Sequence, residues 1–150
     1  MSVKLVIGTR KGLFVARSAD RRDWTLEGPH MAGYEVPTAW LDPRDPAVGY
    51  AAGHHPVWGN HGFRADDGGA NWRPLPEVPR HDAHEGPDSL KTMWCLAPGA
   101  DAEPDTIYAA IEPPCLFVSH DRGETWQPLP ALAEHETASA WHPAKGGLAL

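Results

Sequence analysis

The side chains with chemical reach gather in two stretches and two short turns. Gly53-His54-His55-Pro56-Val57-Trp58-Gly59-Asn60-His61 sets three histidines around a tryptophan, and Arg80, His81, Asp82, His84, Glu85 and Asp88 make up the second stretch. Arg10 with Lys11, and Glu112 ahead of Pro113-Pro114, complete the set. Three chemistries suit such residues. His54, His55, His61, His81 and His84 are imidazole donors for a divalent cation, yet no H-E-x-x-H pattern and no paired cysteines supply a ligand spacing. They read instead as solvated loop histidines, with no metal and no cofactor assigned. Trp58 either stacks on a sugar ring or caps its own loop. Glycoside hydrolysis needs two carboxyl groups about 5 to 9.5 Å apart. Glu112 would have to pair with Asp82, Glu85 or Asp88, and no spacing singles one out. Glu112 is thus the acid/base candidate, while Arg10, Lys11, His54, His55, Trp58, His61, Arg80 and His84 are the ligand-binding candidates.

The elements that must position these residues are repetitive. Ser119-His120-Asp121-Arg122-Gly123-Glu124-Thr125-Trp126 spells S-x-D-x-G-x-T-W, and Ala65 to Trp72 keeps Asp67, Gly69 and Trp72 at the same offsets. Ser18 to Trp24 is a shorter copy that keeps Ser18, Asp20 and Trp24 but lacks the glycine. Phe63 aligns with Phe117, and Pro74-Leu75-Pro76 with Pro128-Leu129-Pro130, at the shift of 54 residues that also relates the two longer boxes. Tyr50-Ala51-Ala52 and Tyr108-Ala109-Ala110 match at a shift of 58. A unit of about 40 to 55 residues built from short strands has the size of one propeller blade.

Turn chemistry accounts for the whole box. The aspartate accepts backbone N–H bonds, glycine supplies a positive φ, and the Ser or Thr hydroxyl closes the loop. Asp20, Asp67, Ser119, Asp121, Gly123, Gly69 and Thr125 are therefore structural candidates. Trp24, Trp72 and Trp126 each start the following strand, with the indole N–H seeking an acceptor near the rim. A calcium loop is excluded, because Asp66-Asp67-Gly68-Gly69 lacks the ligand spacing and the closing glutamate.

Composition agrees with an all-β chain. With 15 glycines and 16 prolines among 150 residues, few windows can hold a helix of about 11 residues. The stretch 131–142, free of Pro and Gly, reads as a connecting loop. Strands are expected over 4–9, 13–17 and 23–27; then 38–41, 48–53, 62–65 and 71–75; then 92–97, 106–111, 115–119 and 125–129; with a last one at 147–150. Seven tryptophans and a 41% hydrophobic share argue against disorder. A net charge of −7 with scattered basic residues argues against nucleic-acid or anionic-membrane partners. Leu5-Val6-Ile7 is too brief for a signal-peptide core, so the expected location is cytoplasmic, with Cys95 and Cys115 as reduced core thiols.

The boxes, Gly8-Thr9-Arg10-Lys11-Gly12-Leu13-Phe14 and Glu112-Pro113-Pro114-Cys115-Leu116-Phe117 together resemble the BNR/Asp-box repeat proteins, often labelled sialidase-like or glycosyl-hydrolase-like, along almost the whole chain. The resemblance implies a β-propeller of six to eight four-stranded antiparallel blades. This chain holds about three, as one partial domain with units near 1–29, 30–77 and 78–130 and the start of another at 131–150. A homodimer is expected if the chain is complete. In such a propeller the candidate residues fall on loops opposite the boxes, at the mouth of the channel. The sialidase arginine triad and opening motif are not found, and Tyr50 and Tyr108 sit inside strands. The expectation is a module that binds a carbohydrate or protein ligand on its loop face. The alternative is part of a glycoside hydrolase completed by blades absent here, with Glu112 as its acid/base.

Overall fold

A computed structural model describes residues 2–81 and 89–141. Eleven described strands form three antiparallel sheets in which every strand pairs with its neighbour in sequence. Sheet 1 comprises β1 (Val3–Thr9), β2 (Gly12–Ser18) and β3 (Thr25–His30). Sheet 2 comprises β4 (Glu35–Leu41), β5 (Gly49–His55), β6 (Gly59–Ala65) and β7 (Arg73–Pro74). Sheet 3 comprises β8 (Thr92–Pro98), β9 (Ile107–Glu112), β10 (Cys115–Ser119) and β11 (Gln127–Leu129).

The sheets stack face to face, and strand alternation decides what lies between them. Between sheets 1 and 2, Leu13 and Val15 of β2 meet Val36, Ala51 and Phe63. Between sheets 2 and 3, Tyr50 and Ala52 of β5 meet Met93, Leu96, Ile107, Ala109, Ile111 and Phe117. Leu13, Val15 and Ile111 are completely buried, and each side chain removed from water contributes roughly 1.5–3 kcal/mol. Sheet 2 is covered on both faces, which is why β5 is buried over five successive residues rather than at every second one.

The last strand of sheets 2 and 3 is shorter than sequence leads one to expect, and the reason is local. Asn71 and Thr125 were candidates to open strands, but their backbone N–H groups are taken by Asp67 and Asp121, so β7 and β11 start two residues later. Pro74 and Pro128 then have no N–H to give to a ladder. In sheet 1 the Arg22 and Asp23 N–H groups bond Asp20 in the same way, moving the strand from 23–27 to Thr25–His30.

Three further expectations are corrected. The stretch 131–142 is not a plain loop: Pro130 opens a helical turn, α1 (Pro130–Ala133), and a 3₁₀ turn follows at Ala138–Ala140. Proline suits a first helical position because its missing N–H is not needed there. The 53–61 segment is not a long loop either, because β5 and β6 run on to His55 and from Gly59, leaving Pro56-Val57-Trp58 as the turn. Gly59 leaves that turn at φ 77°, a conformation glycine adopts without a Cβ clash. Cys115 is buried but Cys95 is exposed, because a register shift between Met93 and Cys95 resets the alternation of β8 and turns Leu96 inward instead. The strand expected at 147–150 lies outside the described residues.

Candidate functional site

The hairpins β1–β2, β5–β6 and β9–β10 lie at one end of the stack, linked by specific contacts. Arg10, in the first turn, pairs with Glu35 at 3.6 Å, and Glu35 is the register partner of His54. Asn60, at the start of β6, donates through Nδ2 to the carbonyls of Leu90 at 2.7 Å and Lys91 at 3.1 Å. The Lys91 N–H donates in turn to the Glu112 carbonyl at 2.7 Å.

Between the second hairpin and the segment leading into β8 lies an open cleft of about 630 Å³. Trp58, Val57, Val78 and Leu90 give it apolar walls, and His54, His55, His61 and Arg80 give it polar ones. A second cleft of about 360 Å³ continues from it past Asn60 and Val78 toward Glu77. Val57 and Trp58 are 74% and 68% exposed, so the hairpin tip presents apolar surface to whatever enters. Arg80 is exposed and makes no ion pair among the described residues.

His55 holds the tip in shape. Its Nδ1 accepts the N–H groups of Val57 at 3.0 Å and Trp58 at 3.2 Å, which requires the neutral ring to carry its proton on Nε2. Its ring lies 5.8 Å from that of Trp58 and 5.0 Å from that of Tyr34. Tyr34 is the centre of an aromatic cluster, edge-on to His61 at 5.7 Å and to Phe63 at 5.3 Å. The solvated-histidine reading is therefore corrected for His55 and His61, which are half-buried against Tyr34; His54 is exposed. Consecutive residues of a strand point to opposite faces, so His54 and His55 diverge. Among the described residues no three His, Cys, Asp or Glu side chains converge as metal ligands.

Of the residues singled out in the sequence, the cleft brings together His54, His55, Trp58, His61 and Arg80. Arg10 and Lys11 stand apart in the first hairpin, where the Lys11 N–H bonds Thr9 Oγ1 at 3.1 Å. Glu112 is also apart from the cleft wall: its Oε2 accepts the Trp94 indole N–H at 3.2 Å. His84, with Asp82, Glu85 and Asp88, lies outside the described residues. Tyr34 and Asn60 were missed. Asn60 stood within the quoted stretch, and its role follows only from the neighbouring sheet; nothing around Tyr34 repeats, so no pattern pointed to it.

The opposite end carries the three aspartate turns. Asp121 Oδ1 accepts the Thr125 N–H at 2.9 Å and the Ser119 hydroxyl at 2.7 Å, while Oδ2 accepts the Thr125 hydroxyl at 2.6 Å. Ser119 Oγ accepts the Gly123 N–H at 2.7 Å. Asp67 accepts from the N–H groups of Ala70 and Asn71 and from the Asn71 amide; Asp20 accepts from Arg22 and Asp23. Gly69 and Gly123 take φ of 87° and 89°. These bonds favour the ionised carboxylates. The Arg22 N–H holds Asp20 below the usual carboxylate value, and the Asn71 N–H does so for Asp67. Partial burial opposes the effect at Asp121, but the Thr125 hydroxyl and N–H outweigh it. The tryptophans differ. Trp72 donates to the Gly69 carbonyl at 3.0 Å, Trp24 is 41% exposed, and the buried Trp126 indole finds no acceptor among the described residues, against the expectation of one near the rim.

No family model matches the chain, and no curated protein matches it. Among solved structures, YCF48 bound to D1 peptide superimposes with a TM-score of 0.53 at 15% identity, covering 86% of this chain and 44% of that one. The chain thus spans less than half the length of that neighbour. The fold is an all-β propeller arrangement in which the three sheets stand as successive blades.

Proposed function

We propose that the chain is a BNR/Asp-box-type propeller module that binds a protein segment in the hairpin-face cleft. The observation that carries this reading is the convergence of exposed Trp58 and Val57 with Arg80, His54, His55 and His61 around one open cleft. An extended segment can cover the indole and valine while a carboxylate on it pairs with Arg80, and Trp and Arg are the residues on which binding energy most often concentrates. The peptide held by the structural neighbour supports a peptide rather than a sugar as the first ligand class to try. The hydrolase alternative is disfavoured by Glu112, whose carboxylate is engaged by Trp94 away from the cleft.

A tiled array of acidic and apolar twelve-residue peptides, followed by calorimetry with its strongest binder, tests the reading. Trp58→Ala and Arg80→Ala are each expected to weaken binding at least tenfold. Binding that ignores both substitutions, or hydrolysis of chromogenic glycosides that is lost in Glu112→Gln, defeats it.

A further inference from the structure

The hairpin tip that forms the apolar wall of the cleft is fastened by one titratable atom. Ladder pairing between β5 and β6 ends at His55 and Gly59, and Pro56, which has no N–H, comes next. The two N–H groups that follow, of Val57 and Trp58, both go to His55 Nδ1, at 3.0 and 3.2 Å. Asp20 makes the same pattern in the first aspartate turn, where its Oδ1 takes the N–H groups two and three residues on. The two acceptors differ in where they titrate. The Asp20 carboxyl is held below 3.8, whereas histidine is the side chain that changes charge between about pH 5 and 8.

Protonation breaks this arrangement. An imidazolium carries a proton on both nitrogens, so Nδ1 would point a donor at two other donors. The groups that share the cleft walls with His55, namely His54, His61, Arg80 and Lys91, are basic and offer the added charge no partner. Tyr34 lies against the ring at 5.0 Å, with its hydroxyl 3.5 Å from His61 Nδ1. Gly33, between β3 and β4, passes so close that a Cβ there would lie 3.3 Å from Nε2. Glu35 is the register partner of His54 and pairs with Arg10, and Glu77 lines the adjoining cleft. Among the described residues no carboxylate is ion-paired to His55.

We infer that His55 is the positioning residue of the cleft and acts as a proton-operated clasp: the neutral ring holds Val57 and Trp58 in the cleft wall, and protonation lets the tip go. The cleft therefore takes its peptide at neutral pH and releases it in mild acid. Release is local, since the two bonds fasten three surface residues and leave the strand ladder in place. The consequence for binding rests on the peptide reading above; the clasp itself does not. Its direction is opposite to that of charge alone, because protonated histidines attract a carboxylate more strongly.

Nuclear magnetic resonance on the nitrogen-labelled full chain, with no ligand added, tests the clasp from about pH 8 to pH 5. At the upper end His55 is expected to carry its proton on Nε2, with the Val57 and Trp58 amides protected from exchange. At the lower end their protection factors should be at least tenfold smaller while the β5 amides keep theirs, and the fall should follow the titration of the His55 ring read from its own Nδ1 resonance. His55→Asn offers the same two N–H groups an amide oxygen that does not titrate, so protection should hold there in acid. An Nδ1–H tautomer at the upper end, a wild-type protection that does not change, or a fall that persists in His55→Asn overturns the inference. Should that variant fold poorly, the wild-type titration decides alone. With the strongest binder of the peptide array, the wild type should bind at least tenfold more weakly than His55→Asn at the acid end, the gap closing as pH rises; a wild type that binds as tightly or more tightly there overturns control of the cleft by His55. A tip that titrates as described while no array peptide binds leaves the clasp standing and removes the peptide reading.

Discussion

At the scale of single residues, the aspartate turns make the molecule acid-sensitive in a predictable direction. The Asp20, Asp67 and Asp121 carboxyls are held below the unfolded value of 3.8. A group with a depressed folded value contributes stability that is fully present above the unfolded value and lost as pH falls through the folded one. The melting temperature should therefore be flat above about pH 5 and fall progressively once pH drops below 3.8. Asp121→Asn removes the charged acceptor of the Thr125 hydroxyl and N–H. It should lower stability by about 1 kcal/mol at pH 7, a modest figure because solvent screens these bonds, and should flatten the acid limb. Melting curves from pH 2 to 7 check this; an acid limb as steep in Asp121→Asn as in the wild type would refute it. These turns were legible in the sequence because their chemistry is local: each carboxylate and its donors lie within four residues of one another. Tyr34 was not legible, because its contacts with His55, His61 and Phe63 exist only once β5 and β6 have paired.

At the scale of elements, one arginine ties sheet 2 to sheet 3. Arg44 follows β4, pairs with Asp42 at 2.6 Å, and donates across to the carbonyls of Gly99, Ala100 and Glu103 in the loop between β8 and β9. Asp42 is 4% exposed. Burial alone would raise its carboxyl, yet the Arg44 hydrogen bonds and charge hold it below the usual value. Removing one partner strands the other in a dry site, so Arg44→Met should cost about 3 kcal/mol, near the lower end for a broken buried pair. Asp42→Asn/Arg44→Met should recover part of that loss, and chemical denaturation of these two variants and of Asp42→Asn supplies the cycle. Equal losses in the single and double variants would show that the cross-sheet carbonyl bonds, not the pair, carry the effect. Strand positions themselves were largely readable from alternation and turn residues. The register shifts were not: at the one between Met93 and Cys95 Leu96 turns inward against sheet 2 and Cys95 outward, an arrangement that no window of β8 encodes.

At the scale of the whole molecule, the two described hydrophobic interfaces each lie between adjacent sheets, and stability should divide accordingly. In an array whose units touch only adjacent units, each interface contributes its own term. Leu13 and Ile107 are nearly or completely buried, one in the first interface and one in the second. Truncating either to alanine removes comparable apolar volume, at about 2–5 kcal/mol. The consequences should differ in place. Leu13→Ala weakens only the contact between sheets 1 and 2, so amide exchange should rise across β1, β2 and β3 while the β8–β10 amides keep their protection. Ile107→Ala should do the reverse, exposing sheet 3 while sheet 1 stays protected by sheet 2. The latch from Arg44 adds to the second interface and not to the first, so the sheet 1 response should be the larger. Exchange resolved by peptide and mass spectrometry measures all three sheets in one sample. If both variants speed exchange uniformly, the stack unfolds as one cooperative unit and the division into adjacent interfaces fails, since a loss confined to one layer boundary has then been felt equally at the far side of sheet 2.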